Sequence, residues 1–371
     1  PMNLPVKPYI KNKLKTSYAV EGPETQYTID CGDGVNVHTV SEKARQALQH
    51  LDHSLAQNYP HTVVMKESIQ RYWQDIVPLA PERIFLGEGS QSLLYDVCRL
   101  FLEPGDRVTG IGPCYAEFAS DVGMWGAEYD FVPLRPENRF RFDPEEMLAH
   151  IGQQHKLVYI DSPNNPTGQA IPRADIRRVV ALAAQLSIPV IIDEAYGDYL
   201  PREESAIGLT DTFENLVVLR SFSKAHGLAG IRAGYGILPP QLTVPLDNIT
   251  HPYICSCPAR AVAQAALEDD GFLDHTRQVT AQLKAPFLTE QWDTLTLSYT
   301  RPETPIFLLT HPDPAVDLKA CFDPFHIKVV SGRSFVGLGQ NSARLRVPLP
   351  QDQEAVLEAI RQIDQQLSEK R

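Results

Sequence analysis

Between residues 80 and 240 the chain alternates short apolar runs with longer amphipathic stretches. Turn residues bound each short run, and the runs are rich in β-branched side chains, a pattern that predicts buried strands. The runs are "RIFL", "RVTGI", "YDFV", "KLVYI", "IPVIID", "NLVVL" and "AGYGIL". Residues 91–102, 116–124 and 173–185 between them are predicted helices. This alternation predicts an α/β domain with a mostly parallel, seven-stranded sheet flanked by helices.

The two ends of the chain have other patterns. Val356, Ile360, Ile363 and Leu367 fall on one face of a predicted C-terminal helix. Short apolar runs before it, "LTLSYT", "IFLLT", "IKVV" and "ARLRVPL", predict a small sheet. Helices predicted over 41–57 and 62–77 flank "NYPHT". We therefore expect a large domain over 36–248, and a smaller α+β domain with an N-terminal arm built from 1–35 and 249–371.

Composition and charge exclude several classes of protein. Of the 371 residues, 43% are hydrophobic and 22% charged, a balance typical of a globular protein. A formal net charge of -12 argues against a nucleic-acid-binding surface. The longest apolar runs are too short for a membrane span, and the basic N-terminus lacks the apolar core of a secretory signal. These features predict a cytoplasmic protein with no nucleic-acid or membrane partner.

The cysteine spacing does not indicate a metal site. Only Cys255 and Cys257 are close together among the six cysteines, and no second pair or nearby His-x-x-x-His completes a zinc set. We predict reduced structural thiols and no bound metal.

Lys224 lies in "SFSKAHGLAG", directly after a predicted strand. It is either an ordinary solvated lysine or an amine that forms a Schiff base, which requires a partly desolvated site. Ser221 and Ser223 add hydroxyls nearby, and Arg232 adds a planar cation suited to a phosphate. The combination favours a site for a phosphorylated carbonyl compound.

Four other predicted strands also end in candidate site residues. Asp193 closes "IPVIID" as a turn aspartate or as an anion for a ring nitrogen, with Tyr196 three residues later. Asn165 lies in "SPNNPTG", and Tyr115 in "GPCYAEF". "GEGSQS" follows "RIFL" and opens a helix, whose first backbone N–H groups form a phosphate cradle at Gly89, Ser90 and Gln91. Ligands gather at the carboxyl ends of strands in such sheets.

In this order along the chain, the five strand ends resemble those of a known family. The sequence resembles a fold-type I pyridoxal-phosphate (PLP) enzyme of the class I/II aminotransferases, of the histidinol-phosphate aminotransferase-like branch. "SPNNPTG", "DEAY" and "SFSKAHGLAGIRAGY" are specific in combination, and the resemblance runs from about residue 7 to the C-terminal helix.

The resemblance implies a role for each matching position. Lys224 is the Schiff-base lysine and proton shuttle, Asp193 pairs with the pyridinium nitrogen, and Tyr115 covers the ring. Asn165 and Tyr196 bond the ring oxygen. The phosphate is held by Gly89, Ser90, Gln91, Ser221, Ser223 and Arg232. Tyr59, in "NYP", reaches the cofactor of a partner subunit, which implies a homodimer.

The resemblance also implies substrate-binding residues, although the match is weaker there. Arg346, or Arg344 two residues earlier on the same strand face, binds the α-carboxylate of an amino acid or keto acid. Tyr9 lies on the substrate side, and Arg333 is a candidate distal anion site. "IDCGDGVN" replaces the branch's Asn-x-Asn-Glu motif, and Pro305 replaces an asparagine. These departures leave the cofactor residues intact and argue against histidinol phosphate as the substrate.

The predicted function is a PLP-dependent aminotransferase, a transferase of amino acid biosynthesis that moves an amino group from an amino acid or amino-phosphate to a 2-keto acid. Two alternatives remain open. The same cofactor could serve a lyase, decarboxylase or cyclase in a specialised pathway. A ligand-sensing regulator of this fold is the other. We expect such a regulator to need an N-terminal DNA-binding domain, and only about 30 residues precede the early motif, so the aminotransferase is favoured.

Overall fold

A computed structural model of the chain describes residues 4–11, 13, 27–61 and 64–369. The strands in these ranges are β1 (Ile29–Asp30), β2 (Ile84–Gly87), β3 (Arg107–Gly112), β4 (Glu128–Pro133), β5 (Leu157–Asp161), β6 (Val190–Glu194), β7 (Leu216–Ser221), β8 (Gly234–Ile237), β9 (Thr296–Leu297), β10 (Ile306–Thr310), β11 (Ile327–Lys328), β12 (Val330–Ser331) and β13 (Ser342–Arg346). The helices are α1 (Pro8–Lys11), α2 (Glu42–Gln49), α3 (Ser54–Gln57), α4 (Val64–Trp73), α5 (Gly89–Phe101), α6 (Ala116–Met124), α7 (Pro144–His150), α8 (Arg173–Gln185), α9 (Pro240–Asp247), α10 (Cys257–Leu267), α11 (Phe272–Thr289), α12 (Leu318–Phe322) and α13 (Gln353–Glu369).

The central sheet has seven strands in the order β2-β8-β7-β6-β5-β3-β4. β8 runs antiparallel to both of its neighbours, β2 and β7, so the other six strands point the same way. All residues of β5, β6 and β7 are buried, as expected of strands covered by helices on both faces. The predicted fold class is confirmed, and the seven strands lie where the apolar runs placed them. The carboxyl ends of six strands therefore meet at one edge.

Most of the predicted helices are present, and their differences from the prediction have local causes. The predicted helix over 41–57 is two helices, α2 and α3, because the chain turns between them at "HLDH". Ser41 caps α2 by accepting the Ala44 N–H at 3.1 Å. The helix predicted over 62–77 begins at Val64 in the structure, and Thr62 and Val63 lie outside the described residues.

A smaller α+β unit packs beside the large sheet. Its four-stranded sheet has the order β12-β13-β10-β9, and β1 pairs in parallel with β11 to bring the N-terminal segment onto it. α13 covers this sheet with the face predicted from its periodicity, since Val356, Ile360 and Ile363 are buried and Leu367 packs against the same cluster. Phe287 of α11 belongs to that cluster as well.

The packing of α10 bears on the domain boundary that we expected at residue 248. α10 contributes Val262, Ala263 and Ala266 to the hydrophobic cluster of the large sheet, where it packs on α2 and α4. α11 is the first later helix whose buried residues join the small-sheet cluster. We therefore propose that the large unit extends to about residue 270.

Two further findings apply to the described part of the chain. None of its helices is long and apolar enough to cross a membrane. All six cysteines lie in these ranges as free thiols.

A buried lysine joins the two units. Lys284 of α11 has no solvent exposure, and its Nζ donates to the Thr300 hydroxyl at 2.7 Å and to the carbonyls of Arg301, Thr304 and Ile306 at 2.7–2.9 Å. Burial lowers the pKa of Lys284 well below its usual range, with the Glu303 carboxylate opposing that shift. The amine therefore organises the 300–306 segment through three backbone carbonyls and the threonine hydroxyls.

The organised segment fastens a loop of the large unit. The Thr304 hydroxyl and the Arg301 N–H both donate to the Gly168 carbonyl, at 2.6 and 3.0 Å. The Ser298 hydroxyl donates to the Thr167 carbonyl at 2.9 Å. The loop at 164–168 is thus held from the small unit.

We expect Lys284→Met to lower the free energy of unfolding by about 2–4 kcal/mol, because buried carbonyls lose their donor while the side-chain volume is nearly kept. Urea denaturation measures the change. Lys156→Met, at an exposed lysine, is the control, and its effect should stay within about 0.5 kcal/mol. Equal effects of the two substitutions would contradict a structural role for Lys284.

Candidate active site

A cavity of about 270 Å³ opens at the edge where the parallel strands end. The segments after β2, β3, β5, β6 and β7 each contribute to its wall, as the sequence predicted. The predicted residues that line it are Gly89, Ser90, Gln91, Tyr115, Asn165, Asp193, Tyr196, Ser221, Ser223, Lys224 and Arg232.

One end of the cavity is an anion-binding nest. α5 begins at Gly89, whose φ of 72° is left-handed, and a Cβ there would lie 2.8 Å from Arg232 Nη2. Glycine is therefore required for Arg232 to reach the helix N-terminus. Arg232 Nη1 donates to the Ser223 hydroxyl at 3.2 Å, and the Ser221 hydroxyl accepts the Ser223 N–H at 3.1 Å. Helix N–H groups, two hydroxyls and a guanidinium suit a phosphate.

Asp193 lies at the other side of the cavity, fully buried at the end of β6. Its Oδ2 accepts the Tyr159 hydroxyl at 2.9 Å, and its Oδ1 accepts the Ala195 N–H at 3.1 Å. Burial raises the pKa of Asp193 to about 6, against the Tyr159 bond and the Lys224 charge, which lower it. The carboxylate is ionised at neutral pH but poorly compensated, so it would bind a cationic group.

Lys224 and Tyr196 face each other across the cavity. Lys224 Nζ lies 5.4 Å from the centroid of the Tyr196 ring. The Tyr196 hydroxyl is buried and has no hydrogen-bond partner in the described structure, and burial raises its pKa to about 12. A Cβ on Gly34 would collide with that hydroxyl. The Tyr196 hydroxyl is therefore a buried group whose hydrogen-bonding capacity no described residue uses.

Asp161, which the sequence analysis did not identify, positions two of the predicted residues. Its Oδ2 accepts the N–H groups of Tyr115 and Asn165, each at 3.0 Å, and its Oδ1 accepts Asn164 Nδ2 at 2.9 Å. Burial raises the pKa of Asp161 to about 7. The available signal was the likeness of "KLVYID" to "IPVIID", since both are apolar strands that end in aspartate.

Asn36 is a second residue that the sequence analysis did not identify. Its N–H donates to the Lys224 carbonyl at 3.0 Å, and its Nδ2 donates to the Ala225 carbonyl at 3.0 Å. These bonds bring the N-terminal segment over the lysine loop, so that Asp33, Gly34 and Val35 complete the cavity wall. No local pattern in "DGVN" predicts a contact with residues so distant in the chain.

The two candidate carboxylate-binding arginines lie two residues apart on β13 and have different partners. Arg344 is fully buried, and its Nη1 donates to Asn165 Oδ1 at 2.8 Å while its Nη2 donates to the Gly32 carbonyl. Arg346 donates to two backbone carbonyls, that of Asp33 at 2.8 Å and that of Asp30. Arg344 therefore contacts the side chain of a cavity residue, Asn165, whereas Arg346 contacts the backbone of one, Asp33.

Three further predicted residues lie outside the cavity wall. Tyr59 is 66% exposed and stacks on Tyr253 with 4.3 Å between ring centroids. Tyr9 lies against Gly126, near the end of α6. Arg333 is exposed and donates to Gln340.

Proteins of known family are similar to this chain in sequence. The family model described as aminotransferase class I and II matches residues 28–363. Histidinol-phosphate aminotransferase of Methylobacillus flagellatus is 32% identical over 79% of this chain and 78% of that protein. Histidinol-phosphate aminotransferase 1 of Caulobacter vibrioides is 34% identical over 63% of this chain and 64% of its own length, so the match spans slightly under two thirds of that relative.

Solved structures share the fold. Histidinol-phosphate aminotransferase from Clostridium acetobutylicum superimposes with a TM-score of 0.75 at 21% identity, over 91% of this chain and 99% of that one. The Sinorhizobium meliloti enzyme, solved in complex with pyridoxal-5'-phosphate, gives 0.75 at 23% identity over 92% of each chain.

A second buried aspartate, Asp198, has its pKa shifted in the direction opposite to that of Asp193. Burial alone would raise the pKa of Asp198, but Arg220, 2.8 Å away, and His226 lower it to about 2. Asp198 therefore adds stability at any pH well above 4, and this stability is lost as the pH falls towards 2. Asp193, with its raised pKa, costs stability as the pH rises from about 4 to 6, and the cost persists above pH 6.

In ligand-free protein at pH 8 we expect Asp193→Asn to raise the free energy of unfolding by on the order of 1–3 kcal/mol and Asp198→Asn to lower it by a similar amount or more. The Asp193→Asn gain should shrink towards zero near pH 4. Denaturant titrations at both pH values measure these changes. A loss of stability in Asp193→Asn at pH 8 would show that the carboxylate is structural rather than reserved for a ligand.

Proposed function

Since the chain belongs to the aminotransferase class I and II family, a PLP-dependent family of transferases, we propose that it moves an amino group between an amino acid and a 2-keto acid. In this proposal Lys224 is the amine that holds the cofactor aldehyde. The observation that carries the proposal is the meeting of Lys224, an ionised Asp193 and the unpartnered Tyr196 hydroxyl in one cavity beside an anion nest.

The residues present fit the cofactor group by group. The Gly89 backbone, the hydroxyls of Ser221 and Ser223, and Arg232 would hold its phosphate, where a Cβ on residue 89 would block the guanidinium. Ser90 and Gln91, with their N–H groups at the first turn of α5, belong to the same nest. Tyr196 would donate to the ring oxygen together with Asn165, and Tyr115 would cover the ring. The Tyr115 hydroxyl is fixed by its bond to Gln91 Oε1 at 3.1 Å.

When bound, PLP supplies the electron sink that stabilises negative charge at the substrate α-carbon. The pyridine nitrogen must stay protonated for this purpose, and the buried Asp193 carboxylate would hold a proton at that atom. The Lys224 amine would take the proton from the substrate α-carbon and deliver it to the cofactor's carbon. The Tyr159 hydroxyl fixes the Asp193 carboxylate in orientation.

We propose that Arg344, rather than Arg346, binds the substrate α-carboxylate. A guanidinium pairs with both carboxylate oxygens, and Arg344 already reaches Asn165 beside the proposed ring position. Both arginines hold the loop at 30–33 through its carbonyls, but the Arg346 guanidinium donates to this loop alone.

A second copy of the chain completes the proposed site. Tyr59 and Tyr253 form an exposed stacked pair away from the cavity of their own subunit. Large exposed aromatic side chains are enriched at protein interfaces. In a two-fold homodimer, Tyr59 would reach the cavity of the partner subunit, as the family resemblance implies.

The relatives named histidinol-phosphate aminotransferase make histidinol phosphate the first substrate to test. Tyr9 and Arg333 lie outside the cavity wall in this structure, so any substrate role for them would need movement of their segments.

Borohydride reduction tests the central proposal. In the purified holoenzyme we expect reduction to fix the cofactor on residue 224, as shown by peptide mass analysis, and Lys224→Ala to lose the absorbance band at the visible edge of the ultraviolet. Lys66→Ala, at another partly buried lysine, is the control and should keep the band. An unmodified residue 224 would overturn the proposal. Carbon dioxide release, or a band change that no keto acid reverses, would instead favour the decarboxylase, lyase or cyclase alternative.

Paired arginine variants test the carboxylate assignment. We expect Arg344→Gln to raise KM for the amino donor by roughly 100-fold, because a charge-assisted bidentate pair is lost. Arg346→Gln should raise KM by less than about tenfold and should mainly lower the free energy of unfolding. Steady-state kinetics and denaturation of both variants measure this. The reverse ranking of the KM values would assign the carboxylate to Arg346.

A further inference from the structure

A buried network of four ionisable side chains, Glu194, Asp198, Arg220 and His226, has no part in the proposed function. Arg220 joins the two carboxylates. Its Nε donates to Glu194 Oε2 at 2.9 Å, and its Nη1 donates to Asp198 Oδ1 at 2.8 Å. Glu194 is fixed further by the Ser205 hydroxyl, which donates to it at 2.7 Å. Buried charges of this kind are stable only when each is paired, so the network has a defined geometry.

Each member of the network is one or two residues away from a residue proposed to hold the cofactor. Glu194 follows Asp193, Asp198 comes two residues after Tyr196, Arg220 precedes Ser221, and His226 comes two residues after Lys224. The network therefore ties together the backbones of three segments that line the cavity.

His226 is the member that anchors the lysine loop. Its Nε2 lies 3.4 Å from Asp198 Oδ2, whereas Arg220 takes the other oxygen of that carboxylate. Within the described residues neither ring nitrogen makes a hydrogen bond of good geometry, so the polar anchor of the ring is the Asp198 carboxylate. This carboxylate is ionised, since Arg220 and His226 lower its pKa to about 2 although burial alone would raise it.

Packing alone does not explain a histidine at this position. The imidazole is buried, and its centroid lies 5.0 Å from that of the Phe222 ring. An apolar ring would fill the same space beside Phe222 without the cost of burying two polar nitrogens. A polar anchor for the loop does explain the nitrogens.

The lysine loop is held at a second point by Asn36. The Asn36 N–H donates to the Lys224 carbonyl and its Nδ2 donates to the Ala225 carbonyl, both at 3.0 Å. These bonds fix the backbone of residues 224 and 225, and His226 fixes the next residue through its side chain. The direction of the Lys224 side chain depends on both anchors.

From these contacts, and on the premise of the proposed function, we propose that His226 is a positioning residue for Lys224. Its contact with Asp198 holds the loop so that the Lys224 amine faces the aldehyde of the cofactor. His226 itself touches neither the cofactor nor the substrate. A small displacement of a reacting group slows its reaction strongly, whereas the anion nest at Gly89 and Arg232 does not depend on this loop residue.

Two substitutions separate the ring of His226 from its nitrogens. His226→Phe keeps an aromatic ring against Phe222 and removes the donor, and His226→Gln restores an amide donor near the position of Nε2. Full-length protein freed of cofactor is mixed with PLP. The Lys224 amine adds to the aldehyde and one water leaves, so the growth of the absorbance band gives the rate of condensation.

We expect His226→Phe to slow this condensation by about tenfold or more, because the amine no longer faces the aldehyde. His226→Gln should recover most of the rate. Pyridoxamine 5'-phosphate has no aldehyde and does not react with Lys224, so calorimetry with it reports the ring and phosphate sites alone. Its dissociation constant should change by less than about threefold in both variants.

His155→Phe is the matched control. His155 is also a buried histidine of the large unit whose Nε2 contacts a carboxylate, that of Asp130 at 3.1 Å, but it does not line the described cavity wall. Urea denaturation should show lowered midpoints for both His155→Phe and His226→Phe. Only the second should slow condensation, and the rate of the control should stay within about twofold of the wild type.

The two proposals fail in different ways. The positioning role is wrong if His226→Phe condenses at nearly the wild-type rate, if its affinity for pyridoxamine 5'-phosphate falls as much as its rate, or if His226→Gln recovers nothing. The aminotransferase proposal stands in each of these cases. If wild-type protein does not condense with PLP at residue 224, the proposed function fails and the positioning role fails with it. Should His226→Phe not fold, His226→Asn takes its place under the same limits, because its shorter side chain does not extend to the position of Nε2.

Discussion

Two buried carboxylates lie side by side at the centre of the molecule, and the site depends on both. Asp161 and Asp193 are paired residues at the ends of the adjacent strands β5 and β6, and burial raises the pKa of each. The two carboxylates have different hydrogen-bond partners and different roles. Asp161 uses its oxygens on backbone N–H groups of two loops, which fixes Tyr115 and Asn165. Asp193 is left with a hydroxyl and one N–H, and so retains the capacity to bind a cation.

The cofactor end of the site is assembled by local chain geometry, whereas its substrate end requires the small unit. The nest at Gly89 and the Lys224 loop follow directly from strands of one sheet. Asn165, in contrast, is hydrogen-bonded to both Asp161 and Arg344. Its loop is also bonded at Gly168 to the segment that Lys284 organises. A substitution of Lys284 in α11 would therefore affect the position of Asn165 through this chain of contacts, although Lys284 is not part of the cavity wall.

The sequence predicted what short-range patterns determine. Seven apolar runs became seven strands, and motifs after them converged because carboxyl ends of parallel strands share an edge. What it could not predict depends on contacts distant in sequence. The choice between Arg344 and Arg346 needs the partner at Asn165, since alternate strand residues share a face. The role of Asn36 could not be predicted because it contacts Lys224, which lies 188 residues away in the chain. The packing of α10 in the large unit likewise depends on α2 and α4, which are distant in sequence.

Substrate recognition is built from one connected piece of structure. β13 carries the arginine proposed for the α-carboxylate, and the same strand holds the loop at 30–33 through Arg344 and Arg346, so that the carboxylate site and Asp33 move as a unit. Tyr115, which is proposed to cover the ring, belongs to the large unit at the start of α6. The proposed substrate site is therefore built from both units, because Arg344 lies on a strand of the small sheet and contacts Asn165 of the large unit.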